Sequence, residues 1–135
     1  MNIIFYSPII DERSKEICKG LENSSRNIGL KIHNSRGNLE NRLRQPLHGI
    51  ALIILYLLKK DDLDDMIALQ DLIIGLPIII IMCDTAAETM AKARLLRPRF
   101  IFGVDDNLED MCSIFEKMLD RQISYDQQQS KISVL

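Results

Sequence analysis

At 135 residues, with 47% hydrophobic and 27% charged residues, the chain has the makeup of one globular domain able to bury a core without metal or disulfide support. A net charge of -2 excludes a general attraction to nucleic acid or anionic membrane. The three cysteines, Cys18, Cys83 and Cys112, are odd in number and far apart, and each falls on an apolar face or strand, so buried reduced thiols are expected.

Ile3 to Tyr6 reads as a first strand, leading directly from Met1 without a basic leader, and Ser7-Pro8 as its stop and the start of a helix. Ile10, Ile17, Cys18, Leu21 and Ile28 recur at helical spacing, with Gly29 closing the helix. Leu30 to Ile32 is a short strand near a sheet edge, because Lys31 and His33 beside it are polar, and Asn34 to Asn38 is a loop. Leu39, Leu43 and Leu47 mark a short second helix, weakened at its end by Pro46 and Gly49. Ala51 to Leu57 is the third strand. Asp61, Asp62, Asp64 and Asp65 crowd the start of the next helix, where negative charge complements the dipole. Leu63, Met66, Ile67, Ile73 and Ile74 supply that helix's buried face, and Gly75 ends it.

The four isoleucines Ile78 to Ile81 show no alternation, so both faces of that strand need cover, as in the centre of a parallel sheet. Thr85-Ala86-Ala87-Glu88 matches a capping box opening a fourth helix through Met90, Ala93 and Leu96, which Pro98 stops. Phe100 to Val104 is the fifth strand. Asp105-Asp106-Asn107 offers caps for a fifth helix whose stripe is Leu108, Met111, Cys112, Phe115, Met118 and Leu119. Residues 1–123 thus form the domain, and the polar, glutamine-rich 124–135 is expected to be a flexible tail. Met1 and that tail read as the ends of a free-standing protein. The longest apolar runs are too short for a bilayer, and a cytoplasmic location is expected.

Strands alternating with helices imply a three-layer α/β/α, flavodoxin-like, doubly wound parallel sheet of order 2-1-3-4-5, with a crevice at the carboxyl ends of its first and third strands. Length, element order, Leu76-Pro77 opening the fourth strand and Ile114-Phe115-Glu116-Lys117-Met118-Leu119 in the last helix resemble the CheY-like receiver domain of two-component response regulators, over about residues 2 to 122. The resemblance implies a magnesium-binding acidic pair, a phosphoacceptor aspartate, a hydroxyl residue and a lysine. Those positions fall on Tyr6 and Ser7, near Leu55 or Tyr56, near Met82 and near Gly103. None of them carries the required group, so the resemblance implies a degenerate pseudo-receiver without the phosphorylation switch.

Asp11, Glu12, Asp61, Asp62, Asp84, Asp105 and Asp106 also lie toward the carboxyl edge, where hard oxygen ligands could hold a divalent cation, but their positions at helix starts read as caps. His33 and His48 have no nucleophile partner, and no glycine-rich phosphate loop occurs. Cys83 ends the fourth strand beside Asp84, which opposes a thiolate, so it reads as half-buried and inert. No catalytic residue, cofactor or metal is therefore assigned.

The remaining signal is basic. Lys92, Arg94, Arg97 and Arg99 cluster between the fourth helix and fifth strand, on the face that receivers use for docking and dimerisation, and are the candidate contacts for an acidic protein partner or a second copy. Arg36, Arg42 and Arg44 form a second group. The competing reading is a ligand-binding or enzymatic domain whose crevice is lined by Ser7, Asp11, Tyr56, Asp84 and Asp105. Basic residues lack interleaved aromatics, which disfavours nucleic acid.

Overall fold

Hydrophobic runs without polar interruption become the middle of the sheet. The computed structural model describes residues 1–24 and 27–134, with side chains described through residue 121. Strands β1 (Asn2–Tyr6), β2 (Gly29–His33), β3 (Ile50–Leu57), β4 (Ile78–Met82) and β5 (Phe100–Gly103) are parallel, in the order β2-β1-β3-β4-β5. This is the sheet expected from the sequence. All eight residues of β3 and all five of β4 are buried.

Two helix layers supply that cover. Helices α2 (Arg36–Leu43), α3 (Lys60–Ala68), α4 (Gln70–Ile73) and α5 (Ala87–Ala93) bury Leu39, Leu43, Leu63, Met66, Ile73 and Ala93 against Ile53, Leu55, Ile78 and Ile80. Helices α1 (Glu12–Glu22) and α6 (Leu108–Val134) bury Ile17, Leu21, Met111, Phe115 and Leu119 against Ile54, Tyr56, Ile79 and Ile81. Each buried Leu, Ile or Phe side chain contributes roughly 1.5–3 kcal/mol of transfer free energy, so these two layers dominate stability.

Several local readings are corrected. Helix α1 starts at Glu12, not at Ser7-Pro8, because Asp11 caps it: Ser14 N donates to Asp11 Oδ1 (2.8 Å) and Asp11 N to Ser14 Oγ (2.9 Å). It ends at Glu22, so Ile28 lies outside it and Gly29 opens β2. The loop expected at 34–38 is cut short by Ser35, whose hydroxyl accepts from Asn38 N (3.2 Å) and starts α2. The long acidic helix is split at Leu69 into α3 and the one-turn α4, and Gly75 then turns with φ 91°. The expected Thr85 capping box does not form; Asp84 instead accepts from Ala86 N (2.9 Å) and Thr89 Oγ1 (2.8 Å). After Ala93 the chain tightens into a 3₁₀ turn, Arg94–Leu96, and Arg97 takes left-handed φ 53°. Helix α6 continues through residues 124–134, where no glycine or proline interrupts it, while Leu135 lies outside the described residues.

Candidate functional site

Parallel pairing brings the carboxyl ends of β1, β3, β4 and β5 to one edge. Register sets Tyr6 beside Leu55, Leu57 beside Met82, and Met82 beside Gly103, so the positions marked in the sequence are neighbours. Alternation along β3 directs Leu55 to the α2–α5 layer and Tyr56 to the α1–α6 layer, at the crevice.

Tyr56 is buried, and its hydroxyl donates to Asp11, 3.0 Å from Oδ2 and 3.2 Å from Oδ1. Its ring lies 6.2 Å from that of Phe5. Burial, then the Asp11 hydrogen bond and charge, drive the Tyr56 pKa well above that of an ordinary phenol. Burial pushes Asp11 upward, but its hydrogen bonds with Ser14 and Tyr56 prevail, and the carboxyl titrates below its usual value. The pair is thus held as neutral phenol and carboxylate.

Arg13 closes the other side. Its Nε donates to the Val104 carbonyl (2.9 Å), Nη2 to the Asp106 carbonyl, and Nη1 to Glu16 Oε2 (3.1 Å). One guanidinium therefore ties the first turn of α1 to the segment after β5. No sequence signal announces this residue, since its crevice partners are main-chain carbonyls 91 and 93 residues away.

Ser7 is wholly buried and its hydroxyl donates to the Ile9 carbonyl. Asp62 Oδ2 accepts from Leu58 N (3.1 Å) and Lys59 N (3.0 Å), and Asp106 Oδ2 from Gly103 N (2.9 Å). Of the polar crevice lining expected from the sequence, only Asp11 and Tyr56 bond to each other, while Asp84 serves α5 and Asp105 is exposed. Among the described residues, no group of three or more His, Cys, Asp or Glu is placed to hold a metal ion.

Of the three thiols, Cys18 is buried, Cys112 half-buried and Cys83 exposed, so burial holds for Cys18, while Cys112 is less buried than expected and Cys83 lies further out than the half-buried position read for it. Cys83 opens outward where β4 has ended, yet its pKa is raised, by partial burial and then by the charges of Asp105 and Asp11, which disfavours the thiolate. His33 is half-buried at the end of β2, with Nε2 lacking a hydrogen-bond partner, and His48 is exposed.

The candidate basic residues sit at the opposite edge. Lys92, on α5, is turned to α3, where it pairs with Asp64. Arg94, Arg97 and Arg99 are exposed on the turn from α5 into β5, beside the exposed Leu95 (58%) and Phe100 (42%). Those two apolar neighbours went unnoticed in the sequence because both look like core residues there. The second basic group is engaged locally: Arg36 pairs with Asp65 (3.4 Å), Arg44 with Glu40 (3.2 Å), and Arg42 donates to the Pro46 carbonyl (3.1 Å). A groove of about 580 Å³ runs beside β5 and α6, lined by Phe100, Phe102, Asp106, Asp110, Ile114 and Lys117. None of the described helices is long and apolar enough to cross a membrane.

Strand order, layers and crevice define the scaffold as a CheY-like, flavodoxin-type α/β fold with its own side chains filling the crevice. No family model and no curated protein matches the sequence. Among solved structures, the chain is similar to a response regulator receiver protein from Pseudoalteromonas atlantica, with TM-score 0.72 and 11% identity over 90% of this chain and 99% of that one. It is similar also to a CheY-like receiver domain protein from Methanospirillum hungatei JF-1 (TM-score 0.65, 13% identity, 92% and 97% covered). A putative pilus assembly-related protein from Burkholderia pseudomallei K96243 shares the fold as well (TM-score 0.66, 13% identity, 89% and 90% covered). Likeness at such identities establishes the fold.

Proposed function

We propose that the chain is a receiver-like signalling module of the pseudo-receiver kind, acting in the cytoplasm through protein contacts and independently of aspartyl phosphorylation. Residues 1–123 carry the module. The observation that carries this reading is Tyr56: at the crevice, where a receiver needs a carboxylate, stands a buried phenol bonded to Asp11. A neutral phenol cannot form an acyl phosphate, and Gly103 offers no cation to one. Asp11, Asp62, Asp84 and Asp106 already accept hydrogen bonds that hold the fold. Output then falls to the surface, and Arg94, Arg97 and Arg99, exposed beside Leu95 and Phe100, suit a protein partner or a second copy with an acidic face. Lys92 supports that surface from α5 while engaged with Asp64.

Thermal denaturation with magnesium and acetyl phosphate tests the reading, because a species binding or modifying only the native state must raise its apparent stability. An unchanged melting temperature is expected. A rise that requires both reagents together would contradict it.

A further inference from the structure

We infer that the free edge of β2 accepts an extended acidic peptide from a protein partner, which adds one more strand to the sheet and seats alternate apolar side chains in a groove beside α1. This surface lies at the opposite edge of the sheet from the basic turn of the proposed function, and it stands or falls independently of that proposal.

Strand β2 is hydrogen-bonded to β1 alone, so its other side presents main-chain groups to any strand that comes alongside. Which groups these are follows from the inner ladder. Gly29 N donates to the Met1 carbonyl (2.9 Å), and Ser7 N to the His33 carbonyl (3.0 Å). Alternation therefore spends the main chain of Gly29, Lys31 and His33 on β1 and directs the amides and carbonyls of Leu30 and Ile32 outward. Both residues lie within the strand, and a chain paired with them would exchange about four hydrogen bonds.

The outward pair carries its side chains on the α1 side of the sheet. Leu30 is half-buried against the α1–α6 core, whereas Ile32 is 44% exposed. Between Ile32 and the flank of α1 lies a groove of about 400 Å³, lined also by Phe5, Cys18 and Ile10, the last 51% exposed. Side chains opposite Leu30 and Ile32 on an added strand fall on this same face, two residues apart. Apolar residues there would cover the groove's apolar lining, while the main-chain bonds hold the strand in place.

The charge around the edge is positive. Lys15 and Lys19, one turn apart on α1, line the groove, and Lys31 stands exposed between Leu30 and Ile32 on the sheet's other face. None of these three lysines forms an ion pair among the described residues. Arg42 lines the hollow beside Lys31, and Glu22 is the acid among the groove's residues. That balance chooses the occupant. A second copy paired antiparallel through Leu30 and Ile32 would set Lys31 directly opposite its own counterpart, and like charges so placed are destabilising. An acidic residue between two apolar ones meets Lys31 on one face and fills the groove on the other.

Nuclear magnetic resonance of the full chain, titrated with a blocked heptapeptide of alternating valine and glutamate, is the test. Binding should shift the Leu30 and Ile32 amides and slow their exchange with solvent, because both become hydrogen-bonded. Replacing the peptide's glutamates by lysines, or Lys31→Glu in the protein, should each weaken binding about tenfold or more. The fully N-methylated peptide keeps the side chains but has no amide to donate, and should not bind. No binding of the valine–glutamate peptide, equal binding of its N-methylated form, or shifts confined to Arg94, Arg97 and Arg99 would each overturn the inference. So would protection of Leu30 and Ile32 that grows with protein concentration alone, the mark of a second copy on this edge.

Discussion

The two ends of the strand plane have opposite characters. At the carboxyl edge, Tyr56, Asp11, Ser7 and Arg13 spend their polar groups on one another and on the backbone, and the crevice is braced from within. At the amino end of β5, Arg94, Leu95, Arg97, Arg99 and Phe100 project outward. A buried polar group without its partner costs on the order of 1–3 kcal/mol, so a satisfied network resists rearrangement whereas an exposed patch is free to change partners. The carboxyl edge is therefore the end whose polar groups are satisfied from within, and the exposed basic and apolar side chains lie at the other end.

That contrast can be broken most forcibly by truncating one aromatic at each end. Tyr56→Ala should lower the unfolding free energy by about 3–5 kcal/mol, as for other buried aromatics, whereas Phe100→Ala should cost less than about 1 kcal/mol in urea titrations at concentrations that keep the chain monomeric. Comparable losses at the two sites would erase the distinction.

Finer changes sharpen it. Tyr56→Phe and Asp11→Asn should each cost about 1.5–2 kcal/mol, and the double variant should cost clearly less than their sum, because both remove the same charge-assisted hydrogen bond. Arg13→Ala should cost about 1 kcal/mol and speed amide exchange in residues 104–107, since two carbonyls there lose their clamp. Full additivity of the Tyr56 and Asp11 effects, or unchanged exchange after Arg13→Ala, would show that the crevice is not braced as described.

Acid should act on the crevice and the α5 cap together. Asp11 and Asp84 both titrate below the ordinary 3.8 in the folded chain, so each binds a proton less readily than in the unfolded chain. Their contribution is complete above that ordinary value and is lost as pH falls through the lowered folded pKa. The melting temperature of Asp11→Asn should accordingly fall less than that of the wild type over this acid range. The smallest effect is expected from Arg97→Glu with Arg99→Glu: within about 0.5 kcal/mol in the monomer, with binding of an acidic partner or a second copy lost.

The scaffold was legible because its signal is collective. Ile78 to Ile81 and Ala51 to Leu57 demand cover on both faces, and no single residue decides that outcome. Helix ends were less legible because one side chain settles them. Asp11 could cap α1 only once Ser14 lay within reach, and Asp84 displaced Thr85 by capturing Thr89 as well as Ala86 N. Which residue types stand at the carboxyl edge was readable from the sequence, but what they bond to was not. Tyr56 and Asp11 meet across 45 residues, and Arg13 reaches carbonyls that no side-chain pattern encodes. The clustering of Arg94, Arg97 and Arg99 was visible because they are close in sequence. Lys92 was assigned to the same surface, yet Asp64 draws it toward α3, a contact that depends on how α3 and α5 pack.

Stoichiometry of label transferred from radioactive acetyl phosphate, measured with magnesium after removal of free donor, tests the proposal of phosphorylation-independent action most directly. Folded wild-type protein should retain no label. Stable, magnesium-dependent incorporation approaching one phosphoryl group per chain, abolished by substituting a carboxylate at the carboxyl edge, would contradict a receiver-like scaffold that signals without phosphorylation.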